Sequence, residues 1–233
     1  MPEIVSQKEL APKIKLFEVR VPEISDKAKP GQFIIMVTEE RGERIPLTIA
    51  DINRKKGTIS FVFNEVGKTT KQLGNFRKGD VIRNLLGPLG TPSEIKNFGR
   101  VLCVAGGVMI GPMLLQARAL RQAGNNVTTV MGARIKKLLF FEREMKDTSD
   151  KLYVATDDGS EGYHGLGFLK YLVSEKFDRC VAMGPVVMMK SVCEYTKPVG
   201  IPTVVTLMPI MVDGMGMCGA CRVTVGGETK FGC

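Results

Sequence analysis

Apolar residues in the first hundred positions come in short alternating runs. In "PKIKLFEVRV" Ile14, Leu16, Val19 and Val21 stand among polar neighbours, and "QFIIMVT", "IPLTIAD", "GTISFVF" and "GDVIRNLLG" follow at short intervals. "KPG", "RKKG" and "RKGD" supply turns between them. Short strands in succession, without helices between them, predict a small antiparallel barrel. One helix start interrupts them, at "GKTTKQLGNF". From about Phe98 the pattern changes. "RVLCVAGG" is a buried-type strand running into a helix over "PMLLQARALRQAGNN", with Pro112 in the first turn and Gly124 just past the end. "VTTVMGAR", "KLYVATDDG", "RCVAMGP" and "IPTVVTLM" read as further strands, with helical stretches "LLFFEREMKD", "GFLKYLVSE" and "VVMMKSVCEYTK" between them. Such alternation predicts a parallel sheet covered on both faces. The expected organisation is therefore β + α/β: an antiparallel β-barrel over 1–97, a parallel-sheet α/β nucleotide-binding domain over 98–207, and a cysteine-bearing segment over 208–233.

Composition narrows the function. The 233 residues carry 33 − 24 = +9 formal charges, but Lys and Arg are scattered. There is no Trp and there are four Tyr to stack on bases, so nucleic acid is not the expected partner. A generally basic surface suits anionic cofactors and an acidic redox partner instead. The longest apolar run, "VLCVAGGVMIGPMLL", is broken by glycines and a proline and is shorter than the roughly 20 residues a membrane span needs. "MPEIVSQKEL" lacks an apolar export core. A cytoplasmic protein that does not span a membrane is expected. No Ser/His/Asp arrangement and no acidic pair suited to hydrolysis can be picked out, and no catalytic side chain is assigned. The single histidine, His164, reads as a solvated loop residue.

Glycines at strand ends point to phosphates. "VAGGVMIGP" places Gly106, Gly107 and Gly111 where a strand opens into a helix, whose N-terminus offers free N–H groups to an anion. Alone, it is also an ordinary tight turn, and it is not the GxGxxG dinucleotide fingerprint. The loops "TDDGSEGYHG" and "MGPVVMM" also follow strands, and open α/β sheets bind ligands at those carboxyl ends. In the first domain "RIPLT" sets the Arg44 fork ahead of Pro46, Leu47 and Thr48; the fork suits a phosphate, and the backbone and hydroxyl of 46–48 suit a flat ring. "GKTT", Gly67, Lys68, Thr69 and Thr70, is a second phosphate-type cluster.

The six cysteines divide in two. Cys103, Cys180 and Cys193 lie in apolar strands or a helix and read as buried thiols. Cys218, Cys221 and Cys233 lie in "DGMGMCGACRVTVGGETKFGC". A thioredoxin-like pair wants a following helix where a strand follows here, and structural zinc wants a fourth nitrogen or sulfur. With Asp213 the spacing is D-x4-C-x2-C-x11-C, which matches the C-x4-C-x2-C…C spacing of a [2Fe–2S] cluster with a carboxylate in the first place.

Together RxPxT, GKTT, GGxxxGP, TDDGS, GPxxM and the cysteine cluster resemble the ferredoxin–NADP reductase superfamily. Within it the chain resembles the electron-transfer subunits related to that of dihydroorotate dehydrogenase, and the small subunits of NADH-dependent reduced ferredoxin:NADP oxidoreductases. The resemblance implies FAD in the barrel, held by Arg44, Pro46, Leu47 and Thr48 on the ring and phosphate side and by Gly67, Lys68, Thr69 and Thr70 around the pyrophosphate. It implies a nicotinamide nucleotide at Gly106, Gly107 and Gly111 with Asp157, Asp158 and Gly184 nearby, and a [2Fe–2S] cluster on Asp213, Cys218, Cys221 and Cys233. It further implies a larger flavoprotein and iron–sulfur partner subunit, with an acidic ferredoxin as a further candidate. NADH follows from the resemblance; Arg134, after "MGA", would suit the 2′-phosphate of NADP(H). Met183 stands where the family often has cysteine, Met208 and Met215 where Asn and Thr are usual, and family chains usually continue past the last cysteine, so truncation after Cys233 is left open. An electron-transfer subunit of dihydroorotate dehydrogenase and a non-catalytic redox sensor are the alternative functions.

Overall fold

The computed structural model describes residues 1–40 and 42–233. Two compact units are present: Met1–Ser93 together with Leu207–Cys233, and Glu94–Thr206. In the first, strands β1 (Glu3–Ala11), β2 (Ile14–Arg20), β3 (Phe33–Val37), β4 (Ile45–Asn53), β5 (Thr58–Asn64) and β6 (Asn84–Leu89) form one sheet in the order β1-β2-β5-β4-β3-β6. Every neighbouring pair is antiparallel. The chain just ahead of β6 hydrogen-bonds β1, with Ile4 N–H to Asp80 O at 2.9 Å, Gly79 N–H to Ile4 O at 2.8 Å and Ile82 N–H to Pro2 O at 2.8 Å. These bonds close the sheet into the expected barrel.

Alternation decides what fills it. Phe17, Phe61 and Phe63 point inward from β2 and β5 and meet as an aromatic cluster, Phe17 and Phe63 edge-to-face at 5.0 Å. Burying each such ring contributes about 1.5–3 kcal/mol. The expectation of strands with no helix between them is corrected by α1 (Pro22–Lys27), one short turn with proline at its start that is too brief to show a period. Helix α2 (Lys68–Gly74) begins where expected. Strand β1 carried no sequence signal, because "EIVSQKELA" buries little besides Ile4 and Ala11.

The second unit is a six-stranded parallel sheet, β10-β9-β8-β7-β11-β12, made of β7 (Arg100–Gly106), β8 (Asn126–Ala133), β9 (Lys151–Thr156), β10 (Tyr163–His164), β11 (Arg179–Met183) and β12 (Thr203–Val205). Residues Val101–Gly106 of β7 are all buried, as a strand covered on both faces requires. Helices α3 (Ile110–Gln122), α4 (Glu142–Thr148), α5 (Leu169–Leu172) and α6 (Val186–Thr196) connect the strands. Gly124 takes φ +89° just beyond α3, the left-handed turn that glycine supplies at a helix end. No helix among the described residues is long and apolar enough to cross a membrane. The cysteine-bearing end adds the hairpin β13 (Arg222–Val225) and β14 (Glu228–Phe231).

Candidate functional site

From β7 the chain winds outward through β8, β9 and β10, then returns to place β11 on the other side of β7. The strand order reverses between β7 and β11, which is where open α/β sheets bind ligands. Register brings the carboxyl ends level: Gly106 pairs with Gly132, Ala133 with Thr156 and Met183 with Ala105. Gly106 and Gly184 flank the reversal. A Cβ on Gly106 would lie 2.5 Å from Met188 Sδ, and one on Gly184 would lie 2.7 Å from Met188 Cε and 3.2 Å from the Gly106 nitrogen. Two bare backbones thus approach each other under one thioether. Gly107 turns at φ +59° with open space where a Cβ would be, and Gly111 is buried in the first turn of α3.

Asp157 and Asp158 follow β9, two strands from β7 and so about 10 Å along the same edge. The Asp158 carboxylate accepts from Ser160 Oγ at 2.6 Å and Ser160 N–H at 3.0 Å, and these bonds, the hydroxyl's first, hold it below the usual carboxylate range. It shapes its own loop. Arg134 is exposed directly after β8.

In the barrel, β4 pairs with β3 over Ile45–Thr48 but with β5 only from Ile49 onward. Residues 45–48 therefore present a backbone edge with no strand partner among the described residues, as hydrogen bonding to a flat ring requires. Pro46 and Thr48 share one face of the strand, and Leu47, buried, points the other way, so Leu47 can contribute only its backbone there. The "GKTT" hydroxyls are both engaged. Thr70 Oγ1 accepts from Gly67 N–H at 3.0 Å and donates to Gly67 O at 3.2 Å, while Thr69 Oγ1 donates to Glu43 at 2.7 Å. Lys68 is exposed. Arg44, expected to face a phosphate, donates from Nε to Val212 O at 2.9 Å and from Nη2 to Asp213 O at 3.2 Å.

Asp213 gathers its loop. Oδ1 accepts from Met215 N–H at 2.9 Å, and Oδ2 accepts from Met217 N–H at 3.0 Å and Cys218 N–H at 2.7 Å. The Met215 bond leads in holding the carboxyl below its ordinary range. Cys221 and Cys233 share a hydrogen bond at 3.1 Å between sulfurs, which pulls the Cys221 thiol down and pushes that of Cys233 up. Among the described residues no three Cys, His, Asp or Glu side chains converge on one ion, so the four residues expected to hold a cluster do not form a closed cage. A two-iron cluster asks for two protein ligands at each iron rather than four at one point. Asp213 accepts from the Cys218 amide and Cys221 Sγ lies 3.1 Å from Cys233 Sγ, and one carboxylate with three thiols is a donor set that would fit such a cluster.

Over 234 residues the chain is 48% identical to the dihydroorotate dehydrogenase B (NAD(+)) electron transfer subunit homolog of Thermotoga maritima, covering 99% of this chain and 83% of that one. The chain belongs to this family of electron-transfer subunits. The Desulforamulus reducens dihydroorotate dehydrogenase B electron transfer subunit is 31% identical over 225 residues, with 93% and 85% of the two chains covered. A solved structure of an NADH-dependent reduced ferredoxin-NADP oxidoreductase superposes with TM-score 0.94 at 45% identity, covering all of this chain and 85% of that one. The ferredoxin reductase of a carbazole 1,9a-dioxygenase, at 19% identity and TM-score 0.72, shows the shared fold alone. No family model matches the chain. The resemblance read from the motifs is thereby borne out, and the chain is an oxidoreductase electron-transfer subunit.

Within this family member, structure adds residues that the sequence reading missed. Met188 covers both switch-point glycines; the signal available was a glycine at the end of each of two strands, without knowledge that they are neighbours. Glu43 engages Thr69 across 26 positions, which no local pattern announces.

Proposed function

We propose that the chain carries electrons between a nicotinamide dinucleotide and a larger flavoprotein and iron–sulfur subunit, through FAD and a [2Fe–2S] cluster that it binds itself. Residues 1–97 hold FAD, 98–207 hold NAD(H), and 208–233 hold the cluster while folding as part of the first unit. The bound cofactors supply hydride exchange on one side and single-electron exchange on the other. The protein's own work is placement. Gly106, Gly107 and Gly184 leave the dinucleotide a close approach to backbone, Gly111 lets α3 begin tightly, and the α3 N-terminus favours its phosphates. Asp157 and Asp158 lie along the same edge toward the far end of the ligand. Pro46, Leu47 and Thr48 offer the flavin ring an unpaired strand edge and a hydroxyl, and Arg44 and Lys68 place positive charge by its phosphates, with Gly67, Thr69 and Thr70 shaping that turn. Asp213 and Cys218, with Cys221 and Cys233, hold the irons.

The likeness to the oxidoreductase over all of this chain, at TM-score 0.94, carries this reading. The names of the curated relatives support a second one, in which the partner is a dihydroorotate dehydrogenase catalytic subunit; the large subunit that co-purifies from the native host separates the two. An acidic ferredoxin is a further candidate acceptor for so basic a chain, and the cytoplasm its compartment. NADH is the proposed nucleotide, with NADP(H) the competitor to be tested against it. Anaerobically purified chain should show flavin absorbance, two irons, and a rhombic reduced-state signal lost in Asp213→Ala and Cys221→Ala. Colourless protein, or zinc in place of iron, refutes the proposal.

A further inference from the structure

We propose that Arg44 is the positioning residue of the cysteine loop, fixing where Asp213 stands relative to the strand that bears Pro46 and Thr48. A guanidinium is a rigid planar fork of five donors. Here Nε and Nη2 grip two consecutive carbonyls, Val212 O and Asp213 O. The chain then turns at once. Gly214, at φ +72°, is buried so closely that a Cβ would lie 2.8 Å from Ile35 Cγ1 and 3.2 Å from Leu89 Cδ1. Backbone is thus pressed onto β3 and β6 beside the residue that Arg44 holds.

From that anchored point the Asp213 carboxylate reaches forward to the amides of Met215, Met217 and Cys218. The sequence of contacts runs from the residue just ahead of β4, through one guanidinium, to the carbonyl of a candidate ligand, and from that ligand's carboxylate to the amide of the next. Arg44 touches neither sulfur nor carboxylate oxygen; it acts through Asp213. The three donors it does not spend on the loop remain for the flavin phosphate, so one side chain ties the flavin-bearing strand to the ligand loop. Lysine cannot reproduce this, because a point charge on a flexible stem has no fixed fork with which to span two carbonyls.

The inference deepens the proposed function but rests on the cluster reading only in its spectroscopic arm. Amide exchange over 213–218 is measured on the intact chain, both as isolated and after chelation, for wild type, Arg44→Lys, Arg44→Gln and Gly214→Ala. Arg44→Gln should speed exchange of the segment at least about tenfold, Arg44→Lys should fall between it and wild type, and α3 should exchange as in wild type. In iron-loaded, reduced protein the rhombic signal should broaden and shift in Arg44→Gln and return part-way in Arg44→Lys. Unchanged segment exchange in Arg44→Gln overturns the proposal. Acceleration in Gly214→Ala without acceleration in Arg44→Gln overturns it too, since packing alone would then hold the loop. If no iron binds, the cluster reading fails while the exchange arm still decides the role of Arg44.

Discussion

Replacing Gly106 by alanine tests the geometry of the switch point. The added methyl would stand 2.5 Å from Met188 Sδ and 3.3 Å from Pro185 Cδ, whereas carbon atoms rest at about 3.5–4.0 Å. Something must yield by about 1 Å, and the thioether, flexible and half-buried, is the softer neighbour. Overpacking of this kind costs about 1–3 kcal/mol. Met188→Ala alone removes side-chain contacts and, at a half-buried site, costs about 2 kcal/mol, the low end of large-to-small replacement. The two changes compensate: the methyl enters the space that the thioether leaves. A double-mutant cycle should therefore show the pair less destabilised than the sum of the singles by about 1–2 kcal/mol. Urea midpoints followed by amide protection of β7 and α3 report on this unit alone, and NADH titration on each variant reports on the crevice. Glycine-to-alanine should weaken NADH binding in both Met188 backgrounds, because the methyl also stands where a ligand would approach backbone. Additivity within about 0.5 kcal/mol would mean that Met188 does not lie over Gly106, and the account of the two glycines would fail.

Burial pushes the Cys103 thiol up to about 12 and raises Cys180 in the same way, so neither should alkylate at pH 9 until the chain unfolds. Because the unfolded thiols ionise from about 9.0 while the folded ones stay neutral, their contribution to stability should be constant below that pH and fall as pH rises from it toward 12, visible as a urea midpoint that declines less in Cys103→Ala. Asp213→Asn keeps an oxygen to accept amide bonds but lacks the negative charge. It should retain most of the loop's exchange protection while losing the iron signal, and retention of both would remove Asp213 from the ligand set. Lys15 pairs with Glu65 at 2.9 Å, both side chains 19% exposed, and donates to Gly74 O at 2.7 Å. Lys15→Met should cost about 1–3 kcal/mol by leaving a poorly solvated carboxylate without its cation, while Gly74 O keeps Arg77 Nη1 at 3.3 Å; a change under about 0.5 kcal/mol in chemical denaturation would show the pair to be solvent-screened.

Local chemistry made much of the fold legible. Alternation in β2 to β5, the apolar run of β7, and proline and glycine at the two ends of α3 are properties of neighbouring residues, and they fix element type wherever tertiary contacts do not oppose them. The same locality made the glycine loops and the D-x4-C-x2-C-x11-C spacing visible. Strand β1 and helix α1 escaped because one buries too little to show a period and the other is too short to have one. Only tertiary structure decided which strand ends meet. It placed Gly106 beside Gly184 under Met188, left one edge of residues 45–48 unpaired, and engaged two donors of Arg44 with carbonyls some 168 positions away. Side-chain pairing across such separations depends on sheet order and loop closure. No pattern within one stretch of chain encodes these, because each partner looks like an ordinary polar residue until the fold brings the other to it.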